Sequence, residues 1–220
     1  MVEVSWGLLP VEASKIYFDP EKSIKAVEKK NKQGVTSCPS VLKLLQKTHI
    51  IKCPFDLKLR FTGSLEAPEI RPIEEFTSIH HHKLKSIFSL SPRKDWLNEE
   101  FPVFQITTPY VFTSKEEIDI IQKFPRDLIG TNCPFRLIEG QFPIDTWVRP
   151  LSWAVEWIDI KKDITLRRGQ SWFDITFAHN DFSKNLKLSK VELEDKILKE
   201  IESVKDITGY IKGTSKLMER

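Results

Sequence analysis

The strict alternation of apolar and charged residues from Phe55 to Phe61 constrains the fold of this chain more than any other feature. The segment reads FDLKLRF, so an apolar side chain occupies every second position and a charged one every position between. Successive side chains of a β-strand point to opposite faces, so this period places an apolar face on a core and a charged face in solvent. We therefore expect a strand in a half-buried sheet.

Three further segments also favour strands. Residues 103–113 are rich in β-branched and aromatic side chains, and Pro109 predicts a bulge, an edge position or a junction of two strands there. Residues 144–158 carry apolar side chains at alternate positions, and residues 164–177 form two apolar runs around a glycine-containing turn, which predicts a hairpin. The sequence thus predicts a mostly β protein, an antiparallel β-sandwich or jelly roll with a cupin-like core.

Helical patterns lie before, between and after these segments. Residues 39–47 begin with proline in the first turn and carry an apolar face, and residues 115–124 follow a capping box. Residues 190–206 carry an apolar stripe at a spacing of three to four residues. The predicted organisation has three parts: a peripheral N-terminal arm at 1–36, a β-rich core domain at 37–188, and a C-terminal helix and tail packed on the core at 189–220.

Charge and hydropathy argue against several classes of protein. The 34 basic and 31 acidic residues are interspersed and give a net charge of +3, without the basic block that would concentrate binding to nucleic acid. No apolar run approaches the roughly 20 residues that span a bilayer. Residues 1–15 lack the basic and apolar regions of a signal peptide. We therefore expect a cytoplasmic protein with neither nucleic acid nor a membrane as its partner.

The three cysteines, Cys38, Cys53 and Cys133, are each followed directly by proline in an apolar setting. Their odd number and the lack of a CxxC or Cys/His spacing argue against a disulfide framework and against a metal site. We interpret them as free structural thiols.

A run of three histidines, His80 to His82, is the first candidate for chemistry. On a strand, His80 and His82 would share a face, as in metal-binding jelly rolls. Together with His179 they would form the iron or other divalent-metal site of a cupin-type, oxygenase-like enzyme. However, no glutamate follows the pair at a useful distance and no histidine follows His179. The alternative is a set of surface histidines that bind no metal.

The common enzyme motifs do not occur. The sequence contains no GxSxG nucleophile elbow, no GxGxxG after a strand and no P-loop, and its eight glycines leave little to cradle a phosphate. This favours a binding or accessory protein over an enzyme.

The second candidate is the aromatic-rich stretch 142–177, which holds four of the six tryptophans. Tryptophans beside arginines and a carboxylate suit a pocket for a sugar or a small acidic ligand. The predicted ligand-binding residues are Arg149, Trp153, Glu156, Arg168 and Trp172. The alternative is that the tryptophans pack in the core, while Glu156 forms a structural ion pair with Arg149 or Arg168.

The segments FPIDTWVRPLSWAVEWID and ITLRRGQSWFDITF resemble the signature of a family of uncharacterised bacterial and bacteriophage proteins. That family shares an FPIxxWxRPxxWAxE segment followed by an RGxPWFxxxF segment. CPSVLKLLQKTHIIKCPFDLKLRF and FQITTPYVFTS resemble its upstream blocks, so the similarity spans roughly residues 37 to 177. The chain departs from the pattern at Gln170–Ser171, where proline usually precedes the tryptophan, and at Asp174, where an aromatic is usual.

The resemblance implies a bacteriophage source and names no reaction. The leading hypothesis is an accessory protein that binds a small molecule or a glycan at the aromatic and arginine-lined site. The alternatives are the metal-dependent enzyme and a structural component of a virion or assembly, in which strands and the N-terminal arm contact other copies or virion partners.

Overall fold

The computed structural model describes residues 1–11, 14–24, 38–181 and 184–210, with the backbone alone for residues 204–210. In chain order the strands are β1 (Val2–Leu8), β2 (Glu21–Lys22), β3 (Thr48–Lys52), β4 (Leu57–Phe61), β5 (Ile70–Pro72), β6 (Phe88–Leu90), β7 (Val103–Ser114), β8 (Asp119–Lys123), β9 (Phe135–Leu137), β10 (Gly140–Pro143), β11 (Pro150–Trp157), β12 (Ile164–Leu166), β13 (Ser171–Ala178) and β14 (Leu186–Lys190). The helices are α1 (Pro39–Lys47), α2 (His81–Ile87) and α3 (Asp195–Tyr210).

The strands form three sheets. Sheet A has the order β14-β1-β7-β11-β9, and β6 also pairs with β7; sheet B has the order β10-β8-β13-β3-β2, and sheet C the order β12-β4-β5. Strands β1 and β14 pair in parallel, whereas the other pairings in these sheets are antiparallel. The protein is therefore mostly β, with a β-sandwich-like α+β fold, as the sequence predicts. The finer cupin-like assignment stays a prediction.

One core joins the three sheets. Trp153 of sheet A meets Trp172 of sheet B at a ring-centroid distance of 5.9 Å, and Phe61 of sheet C meets Trp157 of sheet A at 6.2 Å. All three tryptophans are fully buried. Removing aromatic surface of this size from water is the main stabilising contribution to such a core.

The clearest sequence predictions are confirmed. The alternating segment forms β4, with Leu57 and Leu59 buried and Lys58 between them half-exposed. The predicted short helix is α1. Strand β7 continues through Pro109, and its pairing with β11 shifts register between Pro150 and Ser152.

The predicted helix at 115–124 is wrong, because β8 occupies its second half. Ile118, Ile120 and Gln122 are buried, so the segment also fits a period of two, and β10 and β13 pair with the strand on its two sides. The predicted cap Ser114 instead accepts a hydrogen bond from the backbone N–H of Glu116, which closes a local turn after β7. Tertiary pairing thus outweighs the local helical pattern.

The predicted hairpin over 164–177 is also wrong, since its two strands lie in different sheets. Strand β12 pairs with β4, whereas β13 pairs with β3 and β8. The turn between them contains Gly169 at φ +81°, a conformation that favours glycine. The Gly169 N–H donates to the carbonyl of Cys53, which fixes the turn on the body of the protein.

The two chain ends differ from the predicted arm and helix. Strand β1 lies inside sheet A, with Val2, Val4 and Trp6 buried. The prediction that residues 1–36 form a peripheral arm is therefore wrong for the residues of β1. Residues 186–190 form β14 rather than the start of the C-terminal helix, and α3 begins at Asp195. Residues 12–13 and 25–36 of the predicted arm and residues 211–220 of the predicted tail lie outside the described residues.

Helix α3 packs on the body as expected. Its Ile201 is buried with Val111 and Val148 in a small second core cluster. All three cysteines are free: Cys53 is buried, Cys133 half-buried and Cys38 exposed. Among the described residues, no helix combines the length and the apolar character needed to cross a membrane.

Candidate functional site

The two predicted tryptophans lie inside the core. Trp153 and Trp172 have no exposed surface. The Trp153 ring also contacts Phe104 and Phe135, at centroid distances of 5.7 and 5.3 Å. Packing therefore accounts for both rings, and neither reaches the protein surface.

Glu156 forms an ion pair, but with a residue outside the predicted site. Its Oε2 accepts a hydrogen bond from Nε of Arg136, the residue opposite it on β9. The carboxylate is 2% exposed, whereas the Arg136 side chain is 54% exposed and its guanidinium lies 5.7 Å from the centroid of the Phe101 ring. The expected pairing of Glu156 with Arg149 or Arg168 is wrong, because β9 brings Arg136 to this carboxylate.

Arg168 holds two chain segments together. Its guanidinium donates hydrogen bonds to the carbonyls of Ile16 and Pro54 and lies 4.7 Å from the centroid of the Phe18 ring. Its backbone N–H donates to Oδ1 of Asp56 at 3.1 Å. These contacts fasten residues 16–18 to the loop after β3, so Arg168 has a structural role.

Arg149 differs from the other predicted residues, because it belongs to a partly exposed group of side chains. Its guanidinium carbon lies 4.7 Å from the centroid of the Trp147 ring and 6.0 Å from that of Phe142. The Phe142 and Trp147 rings meet edge to face at 5.6 Å. All three side chains are half-buried. We call Phe142, Trp147 and Arg149 the Arg149 cluster.

Two buried anchors present this cluster at the surface. Between β10 and β11, Ile144 and Val148 point into the protein and are 1% and 5% exposed. The Ile144 N–H donates to the carbonyl of Ile118, and the Trp147 N–H donates to that of Pro143, which closes a turn. The neighbouring side chains are therefore held on a fixed backbone, as a preorganised site requires.

The charge of Arg149 has no counter-ion among the described residues. Burial alone lowers the pKa of its guanidinium. A guanidinium that stacks on an aromatic face keeps its N–H donors in the plane of the group, available to a ligand. The cluster therefore combines a partly desolvated cation, free donors and two aromatic rings.

Phe142 and Trp147 lie in the aromatic-rich stretch but outside the predicted site set. The sequence pattern places Trp147 on the face of a strand with Trp153, whereas the structure places it in the turn before that strand. Pro150 is the sequence signal for this boundary. Proline is tolerated at the first position of a strand, so a strand that begins at Pro150 leaves Trp147 outside it.

The histidines do not form the predicted metal site. His80 precedes α2, and His81 and His82 lie in its first turn. The prediction that His80 and His82 share the face of a strand is therefore wrong. The rings of His80 and His82 stack at 5.7 Å, and these histidines line an open cleft of about 520 Å³ with Glu74. His179 instead contacts Glu116 at 3.7 Å. Within the described ranges no group of three or more His, Cys, Asp or Glu side chains could hold a metal ion.

No protein-family model matches the chain, and a comparison with the curated proteins gives no match either. The family resemblance of the FPIDTWVRP and RRGQSWF segments therefore stays a prediction, and the function rests on the geometry of the site.

Proposed function

We propose that the protein is a non-enzymatic accessory protein that binds a small acidic ligand, a carboxylate, at the Arg149 cluster. One observation carries this proposal: the guanidinium of Arg149 is half-buried against two aromatic rings, and no carboxylate among the described residues neutralises it.

A carboxylate matches the donors that the cluster offers. Arginine binds carboxylates through two parallel N–H···O bonds, and such charge-assisted bonds are about twice as strong as neutral ones. Partial burial of the guanidinium lowers the effective dielectric around it, which strengthens its attraction for an anion. The ligand would also repay the cost of keeping this charge partly out of water.

The two rings determine which carboxylates fit. Phe142 and Trp147 meet edge to face and are half-buried, so each leaves part of its surface to a ligand. Aromatic surface of this kind packs against the apolar face of a sugar ring or a planar group. A sugar acid such as glucuronate, or an aromatic acid such as benzoate, satisfies both the cation and the rings.

Titration calorimetry with glucuronate, benzoate and glucose tests the proposal. We expect the two acids to bind and glucose to bind much more weakly. Arg149→Gln removes the charge while keeping a polar side chain, and we expect it to weaken binding of the acids by about 10- to 100-fold, the effect of a lost charge-assisted hydrogen bond.

Arg167→Gln is the matched control. It makes the same change in net charge at an arginine whose side chain is 60% exposed and whose nearest carboxylate, that of Asp56, lies 4.0 Å away. We expect this variant to bind the acids like the unaltered protein. Equal losses in both variants, or acid binding that survives Arg149→Gln, would show that the cluster is not the site.

A further inference from the structure

A second cleft, of about 390 Å³, lies near the turn between β12 and β13 and shares no residue with the Arg149 cluster. Its polar walls include Asn132, Gln170 and Thr165, and Leu128 and Pro134 supply apolar surface. The volume falls within the range of about 300 to 1,000 Å³ that is usual for small-molecule sites.

One hydrogen bond orients the side-chain amide of Asn132, an exposed residue in the wall of this cleft. The ammonium of Lys162 donates to its Oδ1 at 3.0 Å. Since an ammonium group can only donate, the oxygen of the amide must point to Lys162, which leaves the NH₂ group on the other side. No hydrogen-bond partner for this NH₂ group occurs among the residues that the structure describes.

Gln170 repeats this arrangement on another segment of the chain. Its Oε1 accepts a hydrogen bond from the backbone N–H of Arg167 at 3.0 Å, so its NH₂ group also points away from that bond. The bond lies within the 167–170 turn, where the Gln170 N–H donates to the carbonyl of Arg167. The cleft thus has two amide donors whose orientation the protein itself fixes.

The one carboxylate in the wall is already neutralised. The Asp163 carboxylate accepts two hydrogen bonds from Arg60, from Nε to Oδ1 at 2.9 Å and from Nη2 to Oδ2 at 2.8 Å. The ammonium nitrogen of Lys58 lies 3.5 Å from Oδ2. The cleft therefore presents amide and hydroxyl groups with little free charge. This differs from the Arg149 cluster, where a cation without a counter-ion among the described residues dominates.

We propose that this cleft binds a neutral polyhydroxylated ligand, a saccharide, through the NH₂ groups of Asn132 and Gln170. The hydroxyl and ring oxygens of a saccharide accept hydrogen bonds from these donors, and its carbon–hydrogen face packs on Leu128 and Pro134. Thr165, which is exposed at the rim, adds a hydroxyl that can donate or accept.

Titration of ¹⁵N-labelled protein with glucose, N-acetylglucosamine and maltose at millimolar concentrations tests this site. We expect at least one of these sugars to shift the side-chain NH₂ resonances of Asn132 and Gln170 at the same midpoint. Asn132→Leu and Gln170→Met remove each NH₂ donor and keep a side chain of similar size, without adding a group that could accept a hydrogen bond from a sugar hydroxyl. Each should weaken binding of that sugar about tenfold or more, because the hydrogen bond from the lost NH₂ group has no replacement.

Asn98→Leu is the matched control, since it removes an amide whose Oδ1 also accepts a hydrogen bond, from the backbone N–H of Glu100, in an exposed loop outside the cleft. It should leave sugar binding unchanged. The proposal is overturned if none of the three sugars shifts both NH₂ groups, or if a sugar binds the two cleft variants as well as it binds the unaltered protein. Binding of glucuronate at Arg149 is independent of either outcome.

Discussion

Residues 142–149 and the strands β11 and β13 contain the same kinds of side chains, but the structure uses them in opposite ways. In the strands, Trp153 and Trp172 fill the core and Glu156 pairs with Arg136. In the turn before β11, Trp147 and Arg149 stay half-exposed, and the arginine has no described counter-ion. The comparison teaches that tryptophan beside arginine fits core packing as well as a partly exposed cluster, and that burial and ion pairing distinguish the two.

Replacing one tryptophan in each region should give the largest contrast. Trp153→Ala removes a fully buried ring from the contact between sheets A and B, so we expect a loss of about 3 to 5 kcal/mol in the free energy of unfolding. Trp147→Ala removes a half-exposed ring from a turn, and we expect a loss of about 1 kcal/mol or less. Urea denaturation followed by circular dichroism measures both values. Similar losses in the two variants would contradict the assignment of Trp153 to the core and of Trp147 to a partly exposed turn.

Asp174 on β13 tests how the strands tolerate a buried carboxyl that forms no salt bridge among the described residues, although Lys123 lies opposite it on β8. The residue is 6% exposed, and burial raises the pKa of its carboxyl to about 6. Its Oδ2 accepts one hydrogen bond, from the backbone N–H of Arg126 at 3.2 Å. The carboxylate form therefore destabilises the folded state, whereas the protonated form does not.

This gives a pH dependence of defined sign. Because the folded pKa exceeds the unfolded value of about 4, the stability associated with Asp174 is complete below pH 4 and is lost as the pH rises to about 6. Asp174→Asn should remove this loss and raise the free energy of unfolding at pH 7 by about 2 to 3 kcal/mol, with little change near pH 4. Denaturation at several pH values measures it, and an equal effect at all pH values would count against the assignment.

The ion pair of the strands provides the next test. Arg136→Gln leaves the Glu156 carboxylate buried without its cation, which we expect to cost about 2 kcal/mol; the half-exposed guanidinium keeps the figure below that of a fully buried pair. Adding Glu156→Gln removes the unpaired charge and should recover most of this loss. A double-mutant cycle measures the coupling. Additive effects of the two changes would mean that the pair contributes nothing to stability.

The sequence predicts the elements whose pattern agrees with their surroundings. The alternation of β4 and the helix α1, which begins with Pro39, could be predicted because local preference and burial agree there. Strand β8 could not, since its residues also fit a helix and the choice depends on pairing with β10 and β13. The partners of the predicted site residues were also beyond the sequence: Arg136 is 20 residues from Glu156, and only the register of β9 on β11 brings them together.

Arg149→Gln should change the stability least, and its sign distinguishes the two regions. If the guanidinium has no counter-ion, its removal relieves the cost of partial burial, so we expect the free energy of unfolding to rise or to stay within about 1 kcal/mol of the unaltered value. Arg136→Gln, on β9 opposite Glu156, should lower it. Thermal and urea denaturation of the two variants side by side provide the measurement. A loss of more than about 2 kcal/mol in Arg149→Gln would show that this arginine is also a structural partner, and the turn before β11 would then resemble the strands that follow it.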